Sequence, residues 1–252
     1  MDIEESASSA QRELDRGTAV VIGATGGIGK ALSLALAEQG VSLCLVGRSS
    51  DRLAAIAKGA KDKASRVLSY QADLTVDDDL RKLTGNLQRD LTSIALLIHS
   101  AGSISIGALK DAAVEDLDRQ YQVNVRAPYQ LTQALLPMIR IGRGQIVFVN
   151  SLVGLSAKGG SSQYSMAKHA LKALADSLRQ EVNSDGIRVL SVFLGRTATP
   201  MQAAVHRMEG RNYAAELLIE PGDVARMVVT ALSLSRTAEV TDITIRHSIQ
   251  SA

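Results

Sequence analysis

The hydrophobic positions of this chain fall into two alternating patterns. Short continuous runs rich in Val, Ile and Leu predict strands that are buried on both faces of a sheet. Between them, apolar residues recur at helical spacing, as at Ile28, Leu32, Ala35 and Leu36, and predict amphipathic helices. The alternation of strand and helix continues along the chain, which is typical of an α/β domain with a parallel sheet.

This pattern predicts seven strands and six helices in one Rossmann-type, doubly wound α/β domain over residues 17–252. The strands are expected at residues 18–22, 41–46, 66–70, 94–98, 145–149, 187–193 and 240–245. The helices are expected at residues 27–39, 51–63, 76–90, 114–141, 162–183 and 221–234. Residues 1–16 have no apolar face and are expected to be a polar tail. Residues 194–219 are expected to be an irregular substrate lid, because so long a connection usually has a function.

Composition excludes several classes of protein. The chain has 252 residues, of which 46% are hydrophobic and 21% charged, with a net charge of +2, so a buried core is expected and wholesale disorder is not. No basic stripe indicates a nucleic-acid partner, and no apolar run approaches the roughly 18 residues of a membrane span. The start of the chain lacks the apolar stretch of a signal peptide, and Cys44 is the only cysteine. We therefore expect a cytoplasmic protein with no metal site.

A glycine-rich segment lies between the first predicted strand and the first predicted helix. Such a turn lets the backbone approach a pyrophosphate, and the helix N-terminus then faces the anion. A tight turn without a ligand is the alternative, but the flanking strand and helix favour a dinucleotide. The residues expected to bind it are Gly23, Thr25, Gly26, Gly27, Ile28 and Gly29.

Arg48 stands about 20 residues after this loop, where an acidic residue would bind the ribose 2′-hydroxyl of NAD. A guanidinium pairs with a phosphate instead, so Arg48, with the adjacent Ser49, predicts NADP(H). An ordinary surface arginine is the alternative. Asp73 and Leu74, after the third strand, are expected near the adenine, although Asp73 would also serve as a helix cap.

Four polar residues form a candidate catalytic set. Tyr164 and Lys168 are four residues apart on a predicted helix, so they share one face, and a nearby ammonium is expected to lower the pKa of the tyrosine. Ser151 ends the fifth strand, where open α/β sheets place their ligands. In an α-helix the Asn124 carbonyl would accept a hydrogen bond from the N–H of residue 128, but Pro128 has no N–H. This carbonyl is therefore expected to bind a water, or the proline simply kinks the helix. Such a set suits carbonyl reduction.

From Thr18 to Ile245 the chain resembles the short-chain dehydrogenase/reductase family. The family motif T-G-x-x-x-G-x-G matches from Gly23 to Gly29, with Ile22 in place of threonine. The motif N-N-A-G appears as His99-Ser100-Ala101-Gly102, and P-G-x-x-x-T appears from Leu194 to Thr199 with leucine in place of proline.

The resemblance implies a role for each matching residue. Tyr164 would be the general acid/base and Lys168 would lower its pKa and bind the nicotinamide ribose. Ser151 would orient the substrate oxygen and Asn124 would hold a relay water. The resemblance also implies cofactor contacts at Ala101, Gly102, Thr197 and Thr199, a homodimer or homotetramer, and a structural role for His99.

The resemblance leaves the substrate open. The ending Thr241–Arg246 favours small hydroxy acids or free carbonyl compounds, with 3-oxoacyl-carrier-protein reduction as the alternative. Basic residues in the lid region would suit an acidic substrate or be ordinary solvated charges. An NAD enzyme and a dinucleotide sensor or scaffold without turnover are further alternatives. The retention of Tyr164 and Lys168 favours an NADP(H)-dependent enzyme that interconverts a ketone or aldehyde with an alcohol.

Overall fold

The fold is that of a computed structural model, which describes residues 17–248. Seven strands form a single sheet, and all neighbouring strands are parallel. They are β1 Thr18–Ile22, β2 Ser42–Gly47, β3 Val67–Gln71, β4 Ile94–His99, β5 Gln145–Ser151, β6 Arg188–Leu194 and β7 Asp242–Ile245. The strand order is β3-β2-β1-β4-β5-β6-β7, so the predicted doubly wound α/β fold is confirmed. The predicted tail over residues 1–16 lies outside the described residues.

Eight α-helices connect and cover the strands in the described part of the chain. They are α1 Gly27–Glu38, α2 Ser50–Ala60, α3 Asp77–Asp90, α4 Val114–Tyr121, α5 Ala127–Ile141, α6 Ser162–Val182, α7 Pro200–Met208 and α8 Pro221–Leu232. None of the helices within residues 17–248 is both long enough and apolar enough to cross a membrane.

The apolar side chains of the sheet form two separate cores, one on each face. Helices α1, α2 and α8 contribute Leu32, Ile56 and Val228 to the first core. Helices α3, α5 and α6 contribute their apolar stripes to the second core, as at Leu83 and Leu135. Because both faces of the sheet are covered, the strands read as continuous apolar runs rather than as alternating ones.

The chain reverses its direction of winding between β1 and β4, which lie side by side at the centre of the sheet. At such a switch point the connections on either side diverge and leave a crevice beyond the carboxyl ends of the strands. The glycine loop follows β1, and the segment Ser100–Gly102 follows β4. The fold therefore brings these two predicted ligand-binding segments together.

Two local features differ from the sequence prediction. The lid region is not wholly irregular, because it contains α7. The hydroxyl of Thr199 accepts a hydrogen bond from the backbone of Gln202 at 3.2 Å and caps this helix, and Pro200 occupies its first turn. Both are ordinary helix-start signals, and Gly210 with φ +65° follows its end. These signals are present in the sequence, but the prediction of an irregular lid did not take them into account.

The predicted helix over residues 114–141 is interrupted by one π-helical segment, Gln122–Arg126, between α4 and α5. The amide of Ala127 donates to the carbonyl of Gln122, five residues earlier. Pro128 has no N–H to continue the α-helical pattern at this point, and π segments of this kind relieve such a mismatch. The helix therefore changes from α-helical to π-helical just before Pro128, and the π-helical segment contains Asn124.

Candidate functional site

Two adjoining clefts lie at the carboxyl ends of the strands. The narrow cleft has a volume of about 230 Å³ and lies beside the ends of β1, β2 and β3. The wide cleft has a volume of about 660 Å³ and extends past the ends of β5 and β6 to α7. They share wall residues from the glycine loop and from the segment after β4, namely Thr25, Gly26, Ser100, Ala101 and Gly102. One extended ligand can therefore span both clefts.

The glycine loop packs too closely for side chains at three of its positions, Gly23, Gly27 and Gly29. Gly23 has φ +86°, and a Cβ there would lie 2.4 Å from the backbone nitrogen of Ala101. At Gly27 a Cβ would lie 2.5 Å from the methyl carbon of Thr199. Helix α1 begins here without a side-chain cap and without an acidic residue in its first turn. Its N-terminal amides are therefore suited to an anion such as a pyrophosphate.

The narrow cleft carries an excess of positive charge. Arg48 and Arg52 both line it, and neither guanidinium makes a hydrogen bond or ion pair with another residue between 17 and 248. Burial opposes ionisation of Asp73, but hydrogen bonds from Thr75 and the charge of Arg48 together lower the pKa of this carboxyl. Asp73 Oδ1 accepts from the amide and hydroxyl of Thr75 at 2.9 and 2.8 Å. Sequence reasoning missed Arg52, although it lies four residues after Arg48.

The wide cleft brings together three members of the candidate catalytic set. Ser151 at the end of β5 and Tyr164 on α6 line the cleft together, and the Ser151 side chain is near enough to lower the pKa of the phenol. Lys168 lies one helical turn further on, with Nζ 5.8 Å from the centre of the Tyr164 ring. Nζ also donates to the backbone carbonyl of Val149 at 3.0 Å. Strand β5 and helix α6 thus place a hydroxyl, a phenol and an amine on one wall.

The pKa values of this pair differ from the sequence expectation. Burial raises the pKa of Tyr164 to about 12, against which the Ser151 side chain has a smaller lowering effect. Burial also lowers the pKa of Lys168 to about 8. The pKa of Tyr164 is therefore raised overall, and the expectation of a lowered value is wrong. The reason is that desolvation of the buried phenolate exceeds any attraction from an amine held against a carbonyl.

Asn150 is a positioning residue that the sequence analysis missed. Its side chain, 3% exposed, accepts from the amide of Ser151 at 2.8 Å and donates to the carbonyl of Lys168 at 3.1 Å. Gly154 lies against the same place, where a Cβ would be 2.8 Å from both Asn150 Oδ1 and the Lys168 carbonyl oxygen. This link fixes the end of β5 to α6. A polar residue inside an otherwise apolar strand was the available signal.

Asn124 does not line either cleft with its side chain. It is fully buried, and its amide group accepts from the backbone nitrogen of Ser103 at 2.9 Å and donates to the Ser103 carbonyl at 2.8 Å. Its side chain therefore positions the segment after β4. A relay water at its backbone carbonyl stays a prediction.

Two predicted cofactor residues also lie behind the walls of the clefts. Gly29 faces the glycine loop itself, since a Cβ there would lie 2.2 Å from the carbonyl oxygen of Gly23. The hydroxyl of Ser49 accepts from the amide of Arg52 at 3.4 Å and caps α2. Both residues shape the backbone around the clefts. The other predicted cofactor residues line one cleft or both: Gly23, Thr25, Gly26, Gly27, Ile28, Arg48, Asp73, Leu74, Ala101, Gly102, Tyr164, Lys168, Thr197 and Thr199.

His99 lies in the sheet below the site, with contacts that agree with the expected structural role. Its Nε2 is 2.8 Å from the hydroxyl of Thr132, and its ring stacks on Phe148 at 5.1 Å. Burial lowers the pKa of His99 to about 3, so the ring is neutral. In the described part of the chain, no three His, Cys, Asp or Glu residues are grouped to hold a metal ion.

Comparison with known proteins identifies the class. Residues 17–210 match the sequence model of the short chain dehydrogenase family. The chain is 31% identical over 229 residues to an uncharacterized oxidoreductase of Staphylococcus epidermidis, and the match covers 90% of this chain and 96% of that protein. The chain therefore belongs to the short-chain dehydrogenase/reductase family and is an oxidoreductase of that family, as the resemblance implied.

Two solved structures have the same fold. A metagenomic short-chain oxidoreductase in complex with NADP matches with a TM-score of 0.80 at 23% identity, covering 94% of this chain and 100% of that one. An alcohol dehydrogenase from the archaeon Thermococcus sibiricus, complexed with 5-hydroxy-NADP, matches with a TM-score of 0.84 at 23% identity. That match covers 94% of this chain and 98% of the archaeal one.

Proposed function

We propose that this protein is an NADP(H)-dependent oxidoreductase that interconverts a ketone or aldehyde with an alcohol. The observation that carries the proposal is the grouping of Ser151, Tyr164 and Lys168 on one wall of a cleft that begins at the glycine loop. A hydroxyl and a phenol that converge on one point are suited to hold a substrate oxygen between them. The buried ammonium lies behind the phenol.

Tyr164 holds the proton that the substrate oxygen needs. Because its pKa is raised to about 12, the phenol is protonated at neutral pH and donates its proton as the carbonyl oxygen gains negative charge. Ser151 orients that oxygen. When bound, the nicotinamide supplies or accepts the hydride. Donation leaves Tyr164 as a phenolate, which the charge of Lys168 stabilises. In the reverse direction this phenolate takes the proton from the alcohol and becomes the neutral phenol again.

The residues present fit a phosphorylated dinucleotide. The uncapped start of α1 would hold the pyrophosphate, and the free guanidinia of Arg48 and Arg52 would bind a 2′-phosphate in the narrow cleft. A carboxylate for the ribose 2′-hydroxyl of NAD is missing from the end of β2, where Gly47 and Arg48 stand. The NADP in the metagenomic relative supports this reading.

We further propose a homodimer or homotetramer built on the helices that carry Asn124 and Tyr164. Apolar side chains on these helices are exposed, among them Tyr121 at 51%, Tyr129 at 51% and Met166 at 51%. Light scattering on the eluted protein would measure the mass directly. A monomer at micromolar concentration would contradict this part of the proposal.

The test compares wild type with Tyr164→Phe. We expect the wild type to oxidise NADPH in the presence of carbonyl compounds, and the variant to lose at least about a hundredfold in kcat, the usual size of a general-acid effect. NADPH binding by calorimetry should stay nearly unchanged. Tyr129→Phe, at an exposed position on α5, is the matched control and should retain activity.

The outcomes separate the proposal from its alternatives. Turnover that survives in Tyr164→Phe would contradict the assigned role. NADPH binding by the wild type without turnover on small ketones, hydroxy acids or 3-oxoacyl thioesters would favour a dinucleotide sensor. Turnover on small hydroxy acids and free carbonyl compounds, rather than on 3-oxoacyl thioesters, is the expected result.

A further inference from the structure

A charged cluster lies at the wide cleft, and none of its residues lines the narrow cleft. It consists of Lys158, Arg196, Glu209 and Arg211, which we call the Arg196 cluster. Lys158, Arg196 and Glu209 line the cleft together with Ser151 and Tyr164. None of the four residues belongs to the set that the sequence analysis assigned to catalysis or cofactor binding.

Arg196 is held in place by backbone pairing. The segment after β6 forms a short parallel bridge, in which the amide of Ile219 donates to the Arg196 carbonyl at 3.1 Å and the amide of Ala198 donates to the Ile219 carbonyl at 2.8 Å. The Arg196 side chain leaves this bridge and donates from Nη2 to Glu209 Oε1 at 2.6 Å. Its second terminal nitrogen, Nη1, is buried and has no hydrogen-bond partner among residues 17–248.

Glu209 and Arg211 are positioned by the end of α7. The amide of Gly210 donates to the Arg207 carbonyl at 3.1 Å, and the amide of Arg211 donates to the His206 carbonyl at 2.8 Å. With Gly210 at φ +65°, these are the two bonds of a Schellman motif, which ends the helix in one defined geometry. Arg211 Nη1 lies 4.0 Å from Glu209 Oε2.

The cluster has three cations and one acid. The hydrogen bond from Arg196 lowers the pKa of Glu209 against the effect of burial, and the charges of Arg196, Arg211 and Lys158 lower it further. Glu209 is therefore ionised at neutral pH, which leaves the cluster with a net charge of +2. Glu209 holds the position of Arg196, but it neutralises only one of the three cations. A partly enclosed wall with this excess attracts an anion.

From this charge balance and the unpartnered Arg196 Nη1, we propose that the Arg196 cluster binds a carboxylate on the substrate. The preferred substrates are then carbonyl compounds that carry a carboxylate a few bonds away from the reacting carbon, or the corresponding hydroxy acids. This inference rests on the proposed function, because it takes the bound carboxylate to be part of a substrate. The binding of the carboxylate itself does not depend on turnover.

A carboxylate fits this wall better than a neutral hydroxyl group. The unpartnered Nη1 of Arg196 can donate a charge-assisted hydrogen bond to a carboxylate, and such bonds are roughly twice as strong as neutral ones. A hydroxyl would leave the excess charge of Lys158 and Arg211 without a counterion. Lys158 is exposed on the loop after β5, so it is free to approach a bound anion.

The first test is binding by ligand-observed NMR with NADP⁺ present. The probes are 4-oxopentanoate and 4-oxopentanamide, two ketones of equal length that differ in the carboxylate. Homologues one carbon shorter and one carbon longer vary the reach. We expect the acid of the best length to bind about tenfold more tightly than its amide, an advantage that 0.5 M NaCl reduces.

Variants then assign this preference to the cluster. Arg196→Gln and, separately, the exposed Lys158→Met should each reduce the acid-to-amide ratio of dissociation constants several-fold. Arg207→Gln on α7 is the matched control, because it removes the same charge from a residue that does not line the cleft. The control should keep the ratio of the wild type. Thermal unfolding of each variant checks that it is folded. If Arg196→Gln does not fold, Lys158→Met still tests the inference.

Two results would overturn the inference: equal binding of acid and amide at every chain length, or a preference that persists in both cluster variants. A carboxylate preference in a protein that turns over none of the ketones, hydroxy acids or 3-oxoacyl thioesters would leave the inference standing and refute the proposed function. Turnover of both ketones with no preference for the acid would do the reverse. The two proposals therefore fail separately.

Discussion

Lys168 is expected to reduce the stability of the folded protein at neutral pH. Its side chain is 3% exposed, and burial lowers its pKa from 10.5 to about 8. Below pH 8 the lysine is protonated in both the folded and the unfolded chain, so the folded chain carries the full cost of a buried ammonium. We predict that Lys168→Met is more stable than wild type at pH 7, although it should be inactive.

The size of the effect follows from the difference in pKa. A pKa lower by about 2.5 corresponds to about 3 kcal/mol, at 1.36 kcal/mol for each unit. The substitution also removes the 3.0 Å hydrogen bond from Nζ to the Val149 carbonyl, which offsets about 1 to 2 kcal/mol of this gain. A net increase of about 1 to 2 kcal/mol remains, or about 2 to 8 °C in Tm for a chain of this size.

The pH dependence has a definite sign. Between pH 8 and pH 10.5 the unfolded lysine binds more protons than the folded lysine, so the stability of the wild type rises with pH. The variant lacks this contribution, and its advantage over wild type should shrink as pH increases from 7 to 9.5. Tyr164 does not interfere in this window, because its pKa is 10 unfolded and is raised to about 12 in the fold.

Thermal unfolding followed by circular dichroism at pH 7, 8, 9 and 9.5, without added nucleotide, measures this difference. Lys172→Met, one turn further along α6, is the control, since its side chain is 35% exposed and pairs with Asp176. That variant should show a small change with little dependence on pH. A Lys168→Met protein that is less stable than wild type by an amount constant from pH 7 to 9.5 would refute the reasoning.

Three further variants test other parts of the structure. Arg48→Ala and Arg52→Ala should each weaken NADPH binding about tenfold or more and leave NADH binding nearly unchanged, as calorimetry would show; equal losses for both cofactors would contradict the 2′-phosphate assignment. Arg188→Met should reduce the free energy of unfolding in urea by about 3 kcal/mol, because its guanidinium donates to four backbone carbonyls at residues 232–238; a loss below 1 kcal/mol would contradict this.

The sequence was sufficient for features that depend on neighbours along the chain. The strand runs around Val20 and Val147 and the helical stripe around Leu32 predicted the strands and helices, because local periodicity reports which face is buried. The glycine loop and the Tyr164–Lys168 spacing placed the clefts at the correct strand ends. The α7 helix was missed although Thr199 and Pro200 signal its start, since the length of the connection was given more weight than its capping residues.

Features that depend on residues far apart in sequence were not predictable in the same way. Arg196 and Glu209 follow different elements and meet only because β6, the bridge to Ile219 and the turn after α7 fix both backbones. Their charges read as ordinary solvated residues in the sequence. The link from Asn150 to the Lys168 carbonyl is likewise invisible without the fold, although a polar residue in a buried strand needs a partner.

The pKa values of the central pair show why spacing alone gave the wrong sign. Placing a lysine four residues after a tyrosine brings the two groups together, but it says nothing about how much water the fold removes from each. Here burial acts on both, and the pKa values of about 12 and about 8 separate by an amount equivalent to about 5 kcal/mol. Proton transfer from the phenol to the lysine is therefore unfavourable, and the proton stays on Tyr164. A neutral phenol that keeps its proton until a substrate oxygen becomes more basic is the state that a carbonyl-reducing site requires, so the burial that contradicts the simple expectation also supports the proposed chemistry.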